Sequence, residues 1–389
     1  MVNRIISHEL LAAAKEYPVV TVFGPRQSGK TTLVRMTFPK KPYFSLEDPE
    51  VRRTAEIDPR GFLNELPDGG ILDEIQRTPH LLSYIQGIVD KKQSEGMFIL
   101  TGSHQPALHE SVSQSLAGRT SILTLLPFSL KELEQYHKKF EPFPCIVSGG
   151  FPRLHDKKLQ TNRFFNSYVQ TYVERDVRSL INLQNLGSFQ QFLTLVAGRV
   201  GQLSNLVSLG NDAGVSSTTI KSWISVLKSS YIVFELQPYF QNISKRVMKS
   251  PKIYFTDTGL AAFLLGITDG KQLSRDPLRG GLYENFIILE FLKAYHNLDR
   301  RPDMYFYRDS HGNEVDLILK RGSRLFPVEI KSAATFNESF LQGIERFKLV
   351  AGAGRCEGGA VLYNGDLQTT VRGIRVFNPF KHAGVETLL

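Results

Sequence analysis

The run Gly24-Pro25-Arg26-Gln27-Ser28-Gly29-Lys30-Thr31 constrains this chain more than any other segment. It fills the pattern G-x-x-x-x-G-K-[ST] at every fixed position, and Thr32 follows directly. The apolar, β-branched run YPVVTVFG before it reads as a buried parallel strand, and TTLVRMTF after it reads as a helix. The order has a chemical reason. Glycines let successive backbone N–H groups curl around phosphate oxygens, and the positive end of a helix dipole points at the same place. Lys30 supplies a cation for the β and γ phosphates of ATP, and the Thr31 hydroxyl supplies a ligand for Mg²⁺. The fold class that follows is α/β.

A second strand should carry an acid to the magnesium. GGILDEIQR does so, with apolar Ile71 and Leu72 ahead of Asp73 and Glu74. Asp73 would hold Mg²⁺ through water, and Glu74 would polarise the attacking water. Acids on a loop are otherwise merely solvated; placed after an apolar strand, the pair points to hydrolysis and not to binding alone. A third strand, GMFILTGS, ends in Thr101-Gly102-Ser103, where a polar residue such as Ser103 can orient the lytic water. In SLAGRTSILTLLPFS, Arg119 stands directly before another apolar strand. In a ring or a dimer, an arginine there reaches a neighbour's γ-phosphate; alone it is a surface arginine.

This succession of phosphate loop, acid pair, polar strand end and pre-strand arginine resembles the AAA+ ATPases. It is most similar to the prokaryotic AAA-type ATPases that pair an AAA_14 domain with a DUF4143 domain. The resemblance rests on GPRQSGKTTL, ILDEIQ, LTGS, SLAGR, LLPFS, GGFPR, YVERDV and IYFTDTGLA, which span most of the chain. Phe23 departs from it, since a smaller or aliphatic residue is commoner before the first glycine.

Beyond the core, the pattern turns helical and reads as a small lid over the nucleotide. Arg153, after Gly149-Gly150-Phe151-Pro152, is a candidate nucleotide sensor or a structural loop residue. In TYVERDV, the cluster Glu174, Arg175 and Asp176 is a solvated face or, by the resemblance, a coupling element. From Ser188 the chain reads as helix, helix, the turn DAGVSS, the helix STTIKSWISVLKSS and the strand YIVFELQPY, a winged helix-turn-helix. Ser217, Thr218, Thr219 and Lys221 would face outward, with Ile220, Trp223, Ile224 and Leu227 inward. Such modules usually bind DNA and sometimes protein. Lys245, Arg246, Lys249 and Lys252 would form a basic wing against phosphates.

Near the end, GGLYENFIILEFLKAYH offers Glu284 on a helix, and MYFYRDSHGNEVDLILK and LFPVEIK offer Asp316, Glu329 and Lys331 on strands. This set resembles the PD-(D/E)xK nuclease core. There the carboxylates hold one or two divalent ions and the lysine steadies developing charge. The alternative is a docking domain with a vestigial site.

The expected architecture is a P-loop AAA+ core over 1–130 and a helical lid over 131–185. A winged helix over 186–270 and an α/β nuclease-like domain over 271–389 follow, with the DUF4143 region at approximately 186–340. A net charge of +9 favours a polyanionic partner, here DNA. Two distant cysteines, Cys145 and Cys356, fit a reducing cytoplasm, and no apolar run is long enough to span a bilayer. The expected function is a Mg²⁺-dependent ATPase coupled to DNA, with a homo-oligomer as the setting for Arg119. The alternatives are an ATP-gated nuclease and a nucleotide-switch adaptor for protein partners.

Overall fold

The apolar runs of the N-terminal third become parallel strands because each is buried on both faces. In order along the chain they are β1 (Val19–Gly24), β2 (Tyr43–Ser45), β3 (Gly70–Asp73), β4 (Phe98–Ser103) and β5 (Thr120–Thr124). They form a five-stranded sheet in the order β2-β3-β4-β1-β5, parallel throughout. The computed structural model describes residues 2–103, 112, 114–136, 140–173, 186–239, 250–352, 354–382 and 384–389. They divide into two compact units: Met1–Phe128 with Ser229–Tyr231 and Tyr295–Arg300, and Ser129–Lys228 with Ile232–Ala294 and Arg301–Leu389.

In the first unit, period-two alternation sends Val20 and Val22 of β1 into one core, with Leu10 of the helix Ser7–Glu16 and Leu33 of the helix Lys30–Thr37. Val19 and Phe23 enter a second core, with Phe62 and with Ile85 of the helix Leu81–Lys92. Phe23, the odd residue before the phosphate loop, is wholly buried there. Every strand of this sheet runs the same way, so the loops that follow β1, β3 and β4 gather along one edge.

The second unit begins with short helices, Leu130–Leu133, Pro142–Ser148, Pro152–Asp156 and Thr161–Tyr168. Two motifs singled out in the sequence meet here. Gly150 N donates to Asp257 Oδ2 at 2.7 Å, and Leu260 N donates to Asp257 Oδ1 at 3.1 Å. Gly149 has φ +68°, and a side chain there would strike Asp257. Thus GGFPR and FTDTGL form one structural joint, and burial pushes the Asp257 carboxyl up to about 6.

The helices Leu186–Gly198, Leu206–Ala213 and Ser217–Ser229 follow. Gly214 turns the chain at φ +69°, a left-handed conformation that glycine adopts without strain. Ser216 Oγ accepts the Thr219 N–H at 3.1 Å and starts the third helix. Ile220, Trp223, Ile224 and Leu227 are buried. Ser217, Thr218 and Lys221 are exposed, and Thr219 is half-buried.

Next come β6 (Val233–Pro238) and β7 (Lys252–Phe255), an antiparallel pair. The sheet continues through β8 (Met304–Arg308), β9 (Glu314–Arg321), β10 (Arg324–Lys331), β11 (Ala360–Tyr363), β12 (Thr369–Val371) and β13 (Ile374–Phe377). All belong to one eight-stranded mixed sheet, ordered β12-β13-β11-β10-β9-β8-β6-β7. Gln237 of β6 pairs with Tyr305 of β8, so the strand pair after the helix-turn-helix is continuous with the C-terminal sheet.

Glu174, Arg175 and Asp176, and the wing residues Lys245, Arg246 and Lys249, lie outside the described residues. Lys252 does not behave as a wing residue should. It is 1% exposed, so it presents nothing to a DNA phosphate. Among the described residues no helix is long and apolar enough to cross a membrane.

Candidate functional site

The loop after β1 is forced into shape by its neighbours. Gly24 has φ +157°, and a Cβ there would lie 2.1 Å from Leu125 O. Gly29 caps the helix Lys30–Thr37 in the left-handed region at φ 92°. Lys30 is buried, and its Nζ donates to Gly24 O at 3.1 Å and to Pro25 O at 2.9 Å. Ser28 Oγ and Gln27 Oε1 are buried with no hydrogen-bond partner. Pro25 is buried, Arg26 half-buried and Thr32 exposed on the first helical turn. Orphaned polar atoms on a glycine-shaped cradle at a helix N-terminus fit a phosphate chain.

A residue the sequence reading passed over locks this loop. Arg4 is 7% exposed, and donates through Nη1 to Ser28 O at 2.8 Å and through Nη2 to Leu126 O at 2.6 Å. Its guanidinium also lies over the Phe128 ring, 4.9 Å from the centroid. The planar fork reaches the two carbonyls from two separate nitrogens in fixed geometry, where a lysine would have only one nitrogen to offer.

β3 delivers the acids beside the loop. Asp73 Oδ2 accepts from Thr31 Oγ1 and from Tyr43 OH, each at 2.8 Å, and Asp73 Oδ1 accepts from Thr101 Oγ1. Burial and the Asp73 hydrogen bond hold the Tyr43 phenol protonated, well above its ordinary pKa. Thr31 and Asp73, the two residues assigned to Mg²⁺ from sequence, therefore touch. They would hold the ion, which supplies charge neutralisation on the phosphates when bound.

Glu74 adopts the left-handed conformation at φ 59°, ψ 48°, unusual for a glutamate and a mark of a locally constrained backbone. Its N–H donates to Thr101 Oγ1 at 3.3 Å, and Gln76 Nε2 donates to its carboxylate. Ser103 pairs in register with Gly24 and keeps a buried Oγ without a partner. The polar end of β4 thus serves the site twice, with Thr101 on the acids and Ser103 beside the loop.

Arg119 sits at the other edge of the sheet. Its carbonyl accepts from Val19 N at 3.1 Å, at the start of β1. The phosphate loop leaves the far end of that strand, roughly 17 Å away at about 3.4 Å per residue. Arg119 instead pairs with Asp90, Nε–Oδ1 2.5 Å and Nη2–Oδ2 2.9 Å, on an exposed surface. Arg153 is exposed in the second unit.

The C-terminal candidates form a dense charge cluster. Lys331 Nζ lies 2.5 Å from Glu329 Oε1 and 3.4 Å from Asp316 Oδ2, and Ile330 N donates to the same Asp316 oxygen at 2.8 Å. Glu284 does not stand free beside them. Its Oε1 accepts from Lys252 Nζ at 3.1 Å and from Tyr254 OH at 2.5 Å. Lys252 also reaches Glu314 Oε1 at 2.5 Å, and Arg308 reaches Glu314 Oε2 at 3.2 Å. Burial raises the Glu284 carboxyl to about 7 against the pull of Lys252, and burial beside Asp316 raises Glu329 to about 8. Among the described residues no three His, Cys, Asp or Glu side chains form a group able to hold a metal ion.

Similarity to other proteins follows this layout. The AAA domain family AAA_14 matches residues 16–134, a domain of unknown function (DUF8612) matches 144–271, and DUF4143 matches 279–382. The last match lies C-terminal to much of the span drawn from sequence. Two relatives described as uncharacterized, Mb2031c of Mycobacterium bovis and Rv2008c of Mycobacterium tuberculosis, are each 33% identical over 337 residues. Each alignment covers 86% of this chain and 74% of the relative. A solved Walker-type ATPase of Pyrococcus abyssi is similar at a TM-score of 0.45 and 16% identity, over 67% of this chain and 94% of that one. With its phosphate loop, acid strand and matched C-terminal domain in this order, the chain belongs to the family of P-loop ATPases that join an AAA_14 domain to a DUF4143 domain.

Proposed function

We propose that the protein is a Mg²⁺-dependent ATPase whose nucleotide cycle is coupled to DNA binding in the cytoplasm. One observation carries the catalytic part: Thr31 Oγ1 meets Asp73 Oδ2 at 2.8 Å beside the phosphate loop, with Glu74 directly after the end of that strand. Lys30 and the loop N–H groups bind the β and γ phosphates of ATP. Thr31 and Asp73 hold the metal ion. Glu74 accepts a proton from water as it attacks, and its fixed backbone aims the carboxylate. Tyr43 and Thr101 hold Asp73 in place by donating to both of its oxygens.

DNA binding is supported by the net charge of +9 and by the exposed Ser217, Thr218 and Lys221 at the head of the third helix. A homo-oligomer is supported by Arg119, which its own phosphate loop cannot use. The exposed Asp90 pair is screened by solvent, so a neighbour's phosphate can displace it. The adaptor reading shares the nucleotide site and lacks the DNA. The nuclease reading rests on Lys331 standing between Asp316 and Glu329, and Lys252 among the acids weighs against it.

The test is phosphate release from ATP with Mg²⁺ or chelator, with and without duplex DNA, in wild type and Lys30→Ala. Turnover that needs Mg²⁺, responds to DNA and is lost in Lys30→Ala is expected. Binding to DNA should weaken steeply with salt as counterions return to the phosphates. ATP binding with no turnover in any condition would leave the adaptor reading.

A further inference from the structure

The acids of the C-terminal centre already have a cation. Lys252 enters from β7, the strand paired with β6 after the helix-turn-helix, and is buried to 1% exposure. Its Nζ lies 3.1 Å from Glu284 Oε1 and 2.5 Å from Glu314 Oε1. Phe306 closes over it, with the ring centroid 5.4 Å from the ammonium. Two carboxylates at ion-pair distance in a buried site compensate its ammonium. It is therefore a fixed positive charge.

We propose that Lys252 takes the place of the divalent ion in this nuclease-like centre, so that the domain binds no catalytic metal there and cleaves no phosphodiester. Four acids, Glu284, Glu314, Asp316 and Glu329, face three cations, Lys252, Arg308 and Lys331. A divalent ion placed on Glu284 would stand next to a buried ammonium that Glu314, at 2.5 Å, and the Phe306 ring hold in place. The remaining ligands are also engaged: Tyr254 and Lys252 share one oxygen of Glu284, and Ile330 N and Lys331 share one oxygen of Asp316. Against this stands Glu329 Oε2, a buried acid oxygen without a hydrogen-bond partner. Lys331 bonds the other oxygen of the same carboxylate at 2.5 Å, so an ion there would again stand against an ammonium. The inference does not depend on the ATPase reading, since every residue it uses lies in the second unit.

The experiment titrates nucleotide-free, full-length protein with Mn²⁺, followed by electron paramagnetic resonance and by thermal denaturation. Wild type, Glu284→Gln, Asp316→Asn and Glu329→Gln should hold the same Mn²⁺, if any, because none binds at this centre. Lys252→Met keeps the stem and removes the charge. It should gain tenfold or more in Mn²⁺ affinity, on the order expected for deleting one adjacent like charge, with a Mn²⁺-dependent rise in Tm. That gain should vanish in Lys252→Met with Glu284→Gln. One Mn²⁺ bound by wild type and lost in Asp316→Asn or Glu284→Gln would overturn the proposal. So would a folded Lys252→Met that gains nothing. If Lys252→Met does not fold, the wild type set against the three acid variants decides alone.

Discussion

Arg4→Met tests whether a residue outside the phosphate loop sets the loop's affinity. Methionine preserves the apolar stem beside Phe128 but removes donors to Ser28 O and Leu126 O, at 2.8 and 2.6 Å. Hydrogen bonds from a charged donor contribute about 1.5–3 kcal/mol each, so the pair represents about 3–6 kcal/mol. The change also relieves the cost of burying a guanidinium, which places the net loss near the lower end, about 3 kcal/mol. Ser28 belongs to the loop itself, so the loss falls on the state that receives ATP. Expressed wholly as nucleotide affinity, about 3 kcal/mol is somewhat more than a hundredfold. Titration with a fluorescent ATP analogue reads the affinity, and urea denaturation reads the fold separately. Arg4→Lys should fall between, since an ammonium lacks the planar fork that satisfies both carbonyls. An Arg4→Met protein that folds and binds ATP within about twofold of wild type would refute the reasoning.

Glu74→Gln should keep ATP affinity and lose turnover by about 10²–10⁴-fold, the usual worth of a general base; unchanged turnover would mean that the base is another residue. If Arg119 acts across a subunit boundary, mixing Arg119→Ala with Lys30→Ala protein should exceed the summed activity of the two alone. An oligomeric wild type whose mixtures never exceed that sum would exclude the role. Asp257 gives a pH signature. Its folded pKa of about 6 stands above the ordinary 3.8, so its contribution to stability is full below about 4, is lost as pH rises through about 6, and stays lost above. The span corresponds to roughly 3 kcal/mol, and urea midpoints measured across it should flatten in Asp257→Asn.

The phosphate loop, its strand and its helix were legible because all their determinants are local. Gly24, Gly29, Lys30 and Thr31 lie within eight residues, and the apolar run before them has room for one structure only. The acid pair was legible for the same reason. The partners of those residues were not. Tyr43 and Thr101 reach Asp73 because the sheet order sets β2 and β4 on either side of β3, and no local pattern announces that order. Arg4 was invisible because a lone arginine near a chain end has no periodicity, and only its burial against Ser28 and Leu126 gives it meaning. Lys252 was misread outright. Among neighbouring lysines it looked like part of a basic wing, and charge in sequence carries no sign of burial. Tertiary structure turned it inward because Glu284 and Glu314, far along the chain, could meet its charge only inside the sheet's edge. Sequence thus determined which chemistries the chain carries, through residues close enough to be read together. Packing decided which charges face each other, because ion pairing depends on distance in space and not along the chain.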